Sequence, residues 1–408
     1  MPVIVIDPGH GGENHGGEYG DFIEKNINPI VANAMKERLE QYEGVTVYLT
    51  HETDVDMTIE DRVAFAREKD ADYLFCLHFN LSVHHNLYGA EVWIPSKGEL
   101  YSKGYSFAEI EMQELTGIGL FSRGIKTRLN DRGTDYYGIL RYAAEMDVPC
   151  VLIEHCHLDH QKDAFAVANG EESLKALGVL DAEAVAKYFG LKSEKLGIDY
   201  SDYSVSQIPI PTDVVKPDET EPEVNQLELL SLDTETGQAT MKMTASDEDS
   251  YIQYYAVSVD GGNTYSELME WPRSENWNVS DPEYTFTFSL PYDTAIDLRT
   301  VAYNEYDKFT ESNIISLEAI GDPQRLQAEA IQQKAANLLE QQPVYLQQTA
   351  EILMQHIPSS SDVTATSGES AMKLAASISG IFLVMLILIF VLLKNIHGLL
   401  HSNRRRRH

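Results

Sequence analysis

Cysteine is scarce in this chain: Cys76, Cys150 and Cys156 are the only three in 408 residues, too few for a disulfide framework. If Cys150 and Cys156 lie on one strand they stand roughly 20 Å apart, beyond bridging distance. Positive charge is sparse as well, with 31 basic residues against 64 acidic ones and a formal charge of −33. A polyanion of that size is repelled by phosphate backbones, which excludes nucleic acid as a ligand class. Internal repeats are lacking too. Met1 runs straight into Val3-Ile4-Val5-Ile6, without a basic n-region, a long apolar stretch or a cleavage site. What is present is 43% hydrophobic content and 22 tyrosines, the composition of a chain that buries a core and is stabilised by packing. At ~100 to 200 residues per domain, the length predicts two or three folded units.

Long apolar runs are absent except for one. Leu374 to Leu393 are twenty uncharged, mostly aliphatic residues between Lys373 and Lys394, matching the ~20 residues that cross a bilayer core as a helix. The basic cluster Arg404 to Arg407 follows it, so the positive-inside rule puts the tail in the cytoplasm and the acidic bulk outside. The expectation is a single-pass cell-membrane protein whose main part is extracellular. The start of the chain then requires either a signal peptide upstream of this Met or insertion as a tail anchor.

Residues 1–192 read as alternating strands and helices. Val3 to Ile6, Val45 to Leu49, Tyr73 to Leu77, Ala90 to Ile94 and Cys150 to Ile153 have the length of buried strands. Asn28 to Tyr42, Thr58 to Lys69 and Glu171 to Phe189 carry apolar residues at helical spacing. The fold class expected is an α/β domain, a mixed sheet flanked by helices. Residues 193–223 turn acidic and polar with Pro209, Pro211, Pro217 and Pro222, the composition of a semi-extended linker with independently folding neighbours. Residues 224–320 then alternate in short segments, with Asp260-Gly261-Gly262-Asn263 as a hairpin turn, and resemble an immunoglobulin-like or fibronectin type III-like β-sandwich. Asp322-Pro323 is a cap and first-turn pair opening a helical stalk over 322–356. A flexible tether, 357–372, leads to the transmembrane helix, 373–394, and the basic cytoplasmic tail, 395–408.

The residues suited to chemistry sit at strand ends. Ile4-Val5-Ile6-Asp7-Pro8-Gly9-His10-Gly11-Gly12 puts an imidazole just past the first strand, among glycines that allow close approach. Glu24 falls just before the first long helix. His78 follows the strand Tyr73 to Leu77, and Glu154 ends Val151-Leu152-Ile153. In open α/β sheets such edges are where sites are built. Two imidazoles and one carboxylate are a donor set for catalytic zinc, which keeps a position open for water.

The order of the motifs resembles the zinc-dependent N-acetylmuramoyl-L-alanine amidases of the third type, which are cell-wall hydrolases, and the likeness spans residues 3 to 190. It rests on Asp7-Pro8-Gly9-His10-Gly11-Gly12, Glu24-Lys25-Asn26-Ile27-Asn28, Thr58-Ile59-Glu60-Asp61-Arg62, His78-x-Asn80, Gly89-x-Glu91-Val92, Arg123-Gly124-Ile125-Lys126 and Pro149-Cys150-Val151-Leu152-Ile153-Glu154. The resemblance implies that His10, Glu24 and His78 hold Zn²⁺ and that Glu154 is the catalytic carboxylate. The implied substrate is peptidoglycan, at the amide between N-acetylmuramic acid and L-alanine. Asn80 and Arg123 are the candidates for orienting substrate, the alternatives being a turn-forming Asn and a helix-surface ion pair.

One stretch departs from the family. Where a glycine-aromatic segment ending in Asn is usual after the glutamate, this chain has His155-Cys156-His157-Leu158-Asp159-His160. The expectation is a solvated loop with surplus histidines; a strand that pointed Cys156 to the Glu154 face would instead suggest a second metal or an altered zinc environment. His15, His51, His84 and His85 are read as surface residues. Three functions follow: a membrane-tethered amidase, a catalytically impaired peptidoglycan-binding protein that keeps the fold, or a surface scaffold whose β-sandwich recruits a protein partner.

Overall fold

The computed structural model describes residues 1–273, 279–340 and 351. Its packing separates two compact units: Met1–Ser231 with Thr240–Thr287 and Ile296–Leu317, and a smaller one of Leu232–Ala239, Phe288–Ala295 and the chain from Glu318. The larger unit begins with the expected α/β domain. Strands β1 (Val3–Pro8), β2 (Thr46–Leu49), β3 (Tyr73–Asn80), β4 (Ala90–Trp93), β5 (Ser122–Lys126) and β6 (Cys150–His157) form one sheet in the order β2-β1-β3-β6-β4-β5. The first four run parallel, and β4 is antiparallel to β6 and parallel to β5. The mixed sheet therefore brings the C-terminal ends of β1, β3 and β6 and the N-terminal end of β4 to one edge.

Period-two alternation explains why both faces of this sheet are covered. Ile4, Ile6, Phe75, Leu77, Val151 and Ile153 pack under α1 (Glu24–Leu39), α3 (Gly98–Gly117) and α5 (Glu171–Tyr188). Val5, Leu74, Cys76 and Leu152 face α2 (Ile59–Glu68) and α4 (Gly138–Glu145). All three cysteines are free and buried. Helix α1 starts four residues before the expected Asn28, with Pro29 inside it. Glu24 is thus the first residue of the helix, anchored by its N–H to the Gly17 carbonyl at 2.9 Å. Helix α2 matches its signal closely: Thr58 Oγ1 accepts from the Asp61 N–H at 3.1 Å, a side-chain N-cap.

The interval 193–223 behaves as a strap. Tyr200, Tyr203 and Val205 pack on the α/β core. Ser106 and Ser102 on α3 donate to the carbonyls of Ser206 and Pro209 at 2.8 and 3.0 Å, and the Val215 N–H donates to the Ser96 carbonyl at 2.7 Å. Its end is tied as well, because buried Asp218 accepts from Ser250 at 2.6 Å and Asn304 at 2.8 Å. Proline content signals an extended backbone, but whether that backbone lies free or along a surface depends on partners distant in sequence.

Beyond the strap come β7 (Val224–Asp233), β8 (Gln238–Ser246), β9 (Ile252–Ser258), β10 (Met269–Glu270), β11 (Glu283–Ser289), β12 (Ile296–Asn304), β13 (Phe309–Glu311) and β14 (Ile315–Leu317). One sheet is β7-β8-β11 and the other β10-β9-β12-β13, with β14 also on β12. The sheets meet through aromatics: Tyr255 on β9 lies 5.5 Å from Tyr284 and 5.8 Å from Phe286 on β11. Gly261 and Gly262 have φ of 76° and 101° in the turn after β9, as the sequence required.

This two-sheet module docks on the α/β domain, contrary to the expected independence. Tyr88 of the α/β domain meets Tyr254 edge-on with ring centres 5.0 Å apart and Phe121 meets it tilted at 4.8 Å, in an apolar cluster with Ala256, Leu268 and Val301. Arg123 donates to Asp307 at 2.8 Å, and the Thr127 N–H donates to the Tyr306 hydroxyl at 3.2 Å. In the smaller unit, α6 (Pro323–Glu340) opens as expected, the Gln324 N–H donating to Asp322 Oδ1 at 2.8 Å. Among the described residues no helix is long and apolar enough to cross a membrane. The expected span 373–394, the tether, the tail and most of the stalk after Glu340 lie outside the described residues.

Candidate active site

His10, Glu24 and His78 come together at the sheet edge, with one donor atom from each lying within 4.8 Å of the others. The Glu24 carboxylate stands between the rings: Oε2 is 3.1 Å from His10 Nε2 and Oε1 is 2.8 Å from His78 Nδ1. It also accepts from the N–H groups of Gly17 (2.7 Å) and Phe79 (3.1 Å). Burial would push this carboxyl up, but its contacts with His10 and His78 outweigh that and hold it well below the usual range. For His10 burial lowers the pKa while Glu24 raises it more, so the net shift is upward.

The turn bearing His10 is held under strain. His10 has φ 71°, a left-handed backbone rare for a residue with a Cβ. Arg62, on α2, pins the turn by donating to the carbonyls of Pro8 (3.0 Å) and His10 (2.6 Å) and to Asp7 (2.8 Å). That is the physical content of the Thr58–Arg62 segment. Asn14 Oδ1 accepts from His10 Nδ1 at 3.0 Å, which fixes the tautomer and leaves Nε2 facing the site. Two glycines are required by close approach: a Cβ on Gly9 would sit 2.3 Å from the His78 ring, and one on Gly16 would sit 2.6 Å from Glu24 Oε2.

Glu154 is paired in register with His78 on one side and Glu91 on the other, so its side chain shares their neighbourhood. It is buried, and Oε2 has no hydrogen-bond partner in the protein. Burial first, then Glu24 and Glu91, push its carboxyl well above the ordinary value, against a smaller opposing effect of Arg123. The pKa values of Glu24 and Glu154 are thus driven in opposite directions, that of Glu24 down and that of Glu154 up. This donor set fits a divalent cation: two imidazole nitrogens and a carboxylate converge, glycines clear the approach, and an unpartnered acid stands beside them.

The two substrate candidates have other work. Asn80, the last residue of β3, donates to Glu91 at 2.9 Å while its Oδ1 accepts from the Leu81 N–H at 2.9 Å. Arg123 lies on β5 and is buried, not on a helix surface; it donates to Glu91 (3.0 Å), Asp307 (2.8 Å) and the Tyr254 hydroxyl (3.4 Å). Its guanidinium is used by the protein, which corrects the expectation that it meets substrate carboxylates. The shared acceptor, Glu91, is a residue whose role the sequence did not reveal. It is fully buried and also accepts from Lys126 (2.8 Å) and Trp93 (3.2 Å). Burial opposes its ionisation, yet Lys126 and Arg123 hold it well below the usual range. A lone acid in the apolar strand Ala90–Trp93 was the available signal.

The expected solvated loop after Glu154 is also corrected. His155, Cys156 and His157 continue β6 and are buried, and Leu158 and Asp159 remain so. Cys156 packs in the apolar core with its thiol pushed up by burial, which leaves it no part in a second metal site. His157 Nδ1 donates to the Gly89 carbonyl at 3.1 Å; burial and Arg123 lower its pKa to about 4. Buried Asp163 accepts from the N–H groups of His157 and Gly89. His15, His84 and His85 are exposed, as expected.

Residues 4–187 match the family of N-acetylmuramoyl-L-alanine amidases. The chain carries a domain of that family. Over 174 residues it is 28% identical to the uncharacterized protein YqiI of Bacillus subtilis (strain 168), covering 43% of this chain and 79% of YqiI. Over 186 residues it is 23% identical to N-acetylmuramoyl-L-alanine amidase LytC of the same organism, covering 46% of this chain and 35% of LytC. The chain thus spans about a third of that amidase's length. The catalytic domain of CwlV, an N-acetylmuramoyl-L-alanine amidase from Bacillus (Paenibacillus) polymyxa var. colistinus, is 25% identical with a TM-score of 0.39, covering 47% of this chain and 100% of that one. Within residues 4–187, the stretch 155–160 departs in sequence but continues β6 as far as His157, hydrogen-bonded to the rest of the domain.

Proposed function

We propose that this chain hydrolyses the amide bond between N-acetylmuramic acid and L-alanine in peptidoglycan. The observation that carries the reading is Glu154: a buried acid with an unpartnered oxygen, in register with His78 and beside the donor group His10, Glu24, His78. Zn²⁺ held by those three residues would polarise the scissile carbonyl and bring the pKa of water towards ~7. Glu154 takes the proton of the attacking water and returns it to the leaving amine, a double duty suited to a carboxyl whose pKa lies above the ordinary value. Glu24 stays ionised among its donors, and Asn14 keeps His10 Nε2 turned inward. The full chain incubated with purified sacculi should release stem peptides, and removing metal with a chelator should abolish the release. Release that is indifferent to chelation would remove metal from the reaction; a metal-loaded chain that never releases peptide would favour the binding protein without turnover.

We also propose that residues 373–394 anchor the enzyme in the cell membrane, with the amidase domain and the immunoglobulin-like module outside. The support is the run of twenty uncharged residues bounded by lysines and followed by Arg404 to Arg407. The full chain should stay with membranes through alkaline carbonate washing, and external protease should digest residues 1–320 in intact cells stripped of wall. Recovery in the soluble fraction would overturn the anchor.

A further inference from the structure

Strands β3 and β6 fall out of step at the site. His78 pairs with Glu154 but Asn80 pairs with His157, so β6 carries one residue more than β3 across this interval. Such a bulge re-aims side chains, and something must hold the displaced backbone. Here two side chains do: the Phe79 N–H donates to Glu24 Oε1 at 3.1 Å, and the His78 carbonyl accepts from His155 Nδ1 at 2.9 Å.

His155 is wholly buried, its ring stacked on Phe79 at 5.2 Å, a place where an aliphatic side chain would avoid the cost of burying an imidazole. It is braced from behind, since Nε2 lies 3.1 Å from both oxygens of Asp181 on α5. Behind Asp181 stands Glu111 on α3, also wholly buried, with no protein donor at either carboxyl oxygen and its carboxyl pushed up by burial and then by Asp181. A chain of three buried polar side chains, none of which touches the reacting groups, ends on the backbone of a metal-ligand candidate.

We propose that His155 is a positioning residue: its imidazole, braced by Asp181 and Glu111, holds the His78 carbonyl and so fixes the bulge that aims His78 and Glu154. As far as it concerns metal binding, this rests on the reading of His10, Glu24 and His78 as ligands. Partners that orient a metal ligand without touching the metal change affinity by about 10- to 100-fold when removed.

Two amide substitutions separate the contacts, because Asn places its nitrogen where Nδ1 lies and Gln where Nε2 lies. His155→Asn keeps the donor to His78; His155→Gln keeps the contact with Asp181 and loses that donor. In the metal-free full chain, hydrogen exchange of the segment 74–82 should quicken roughly two- to tenfold in the Gln variant and clearly less in the Asn variant, which keeps the donor and loses only the brace. Zinc affinity, measured by chelator competition, should fall about 10- to 100-fold in the Gln variant and by a smaller factor in the Asn variant. If both variants lose zinc affinity and segment protection equally, in step with their metal-free melting temperatures, His155 is only a packing residue. If His155→Asn does not fold, Asp181→Asn decides: faster exchange confined to segment 74–82 supports the bracing, and wild-type exchange there overturns it. Should the wild-type chain bind no zinc, the metal reading fails while the exchange comparison still decides the role of His155.

Discussion

Glu154→Gln should lower kcat on muropeptides by about 10²- to 10⁴-fold, the usual contribution of a positioned general acid–base, while leaving zinc content unchanged. The amide keeps the shape and removes the proton shuttle. A second effect has the opposite sign. Burial, Glu24 and Glu91 raise the carboxyl in the folded metal-free protein, so its contribution to stability is full below the ordinary carboxylate value and is lost as pH rises through the folded value. Metal-free Glu154→Gln should therefore melt higher than wild type at neutral pH, and the difference should close as pH falls below ~4.3. A group that costs stability where it works is what a stability–activity trade-off predicts. Wild-type turnover in the variant would take Glu154 out of the mechanism; a lower melting temperature at neutral pH would contradict the electrostatics.

Glu91→Gln should destabilise the chain by about 3–5 kcal/mol, as expected when one member of a buried ionic group is removed and the others stay charged. Arg123 and Lys126 both donate to Glu91 Oε2, at 3.0 and 2.8 Å, and all three side chains are buried. Lys126 and Arg123 depress the Glu91 carboxyl against its burial; the stability it contributes is present above ~4.3 and is lost as pH falls through the folded value. The penalty should thus be full at neutral pH and shrink in acid. Because Arg123 also holds Asp307, the two-sheet module should loosen as well, seen as increased proteolysis near Tyr306. A loss under about 1 kcal/mol in chemical denaturation would mean that water reaches these cations and the network is not truly buried.

Part of the site was legible in the order of its motifs: the resemblance named His10, Glu24, His78 and Glu154, and the first three come together, while Glu154 pairs in register with His78. Local signals put His78 and Glu154 at strand ends, whereas both lie inside β3 and β6. Helix α2 with its Thr58 cap and the opening of α6 at Asp322-Pro323 were legible from local signals. Misreadings arose where the outcome depends on partners far along the chain. His155 to His157 look like loop residues by composition, yet a strand end, Asp181, Asp163 and the Gly89 carbonyl supply every partner a buried histidine needs.

Arg123 had the chemistry to bind substrate, but Glu91, 32 residues earlier, and Asp307, 184 residues later, claim it first. The prolines of 193–223 announced an extended backbone without saying that it would lie along α3. The sequence by itself determined which residues could do chemistry and which elements would carry them, since propensity, capping and periodicity act over a few residues. Tertiary structure alone decided which charges are buried together, that the β-strand module is docked and not a free spacer, and which side chains remain for a ligand. Those outcomes depend on desolvation and pairing between groups tens to hundreds of residues apart, and no local pattern encodes them.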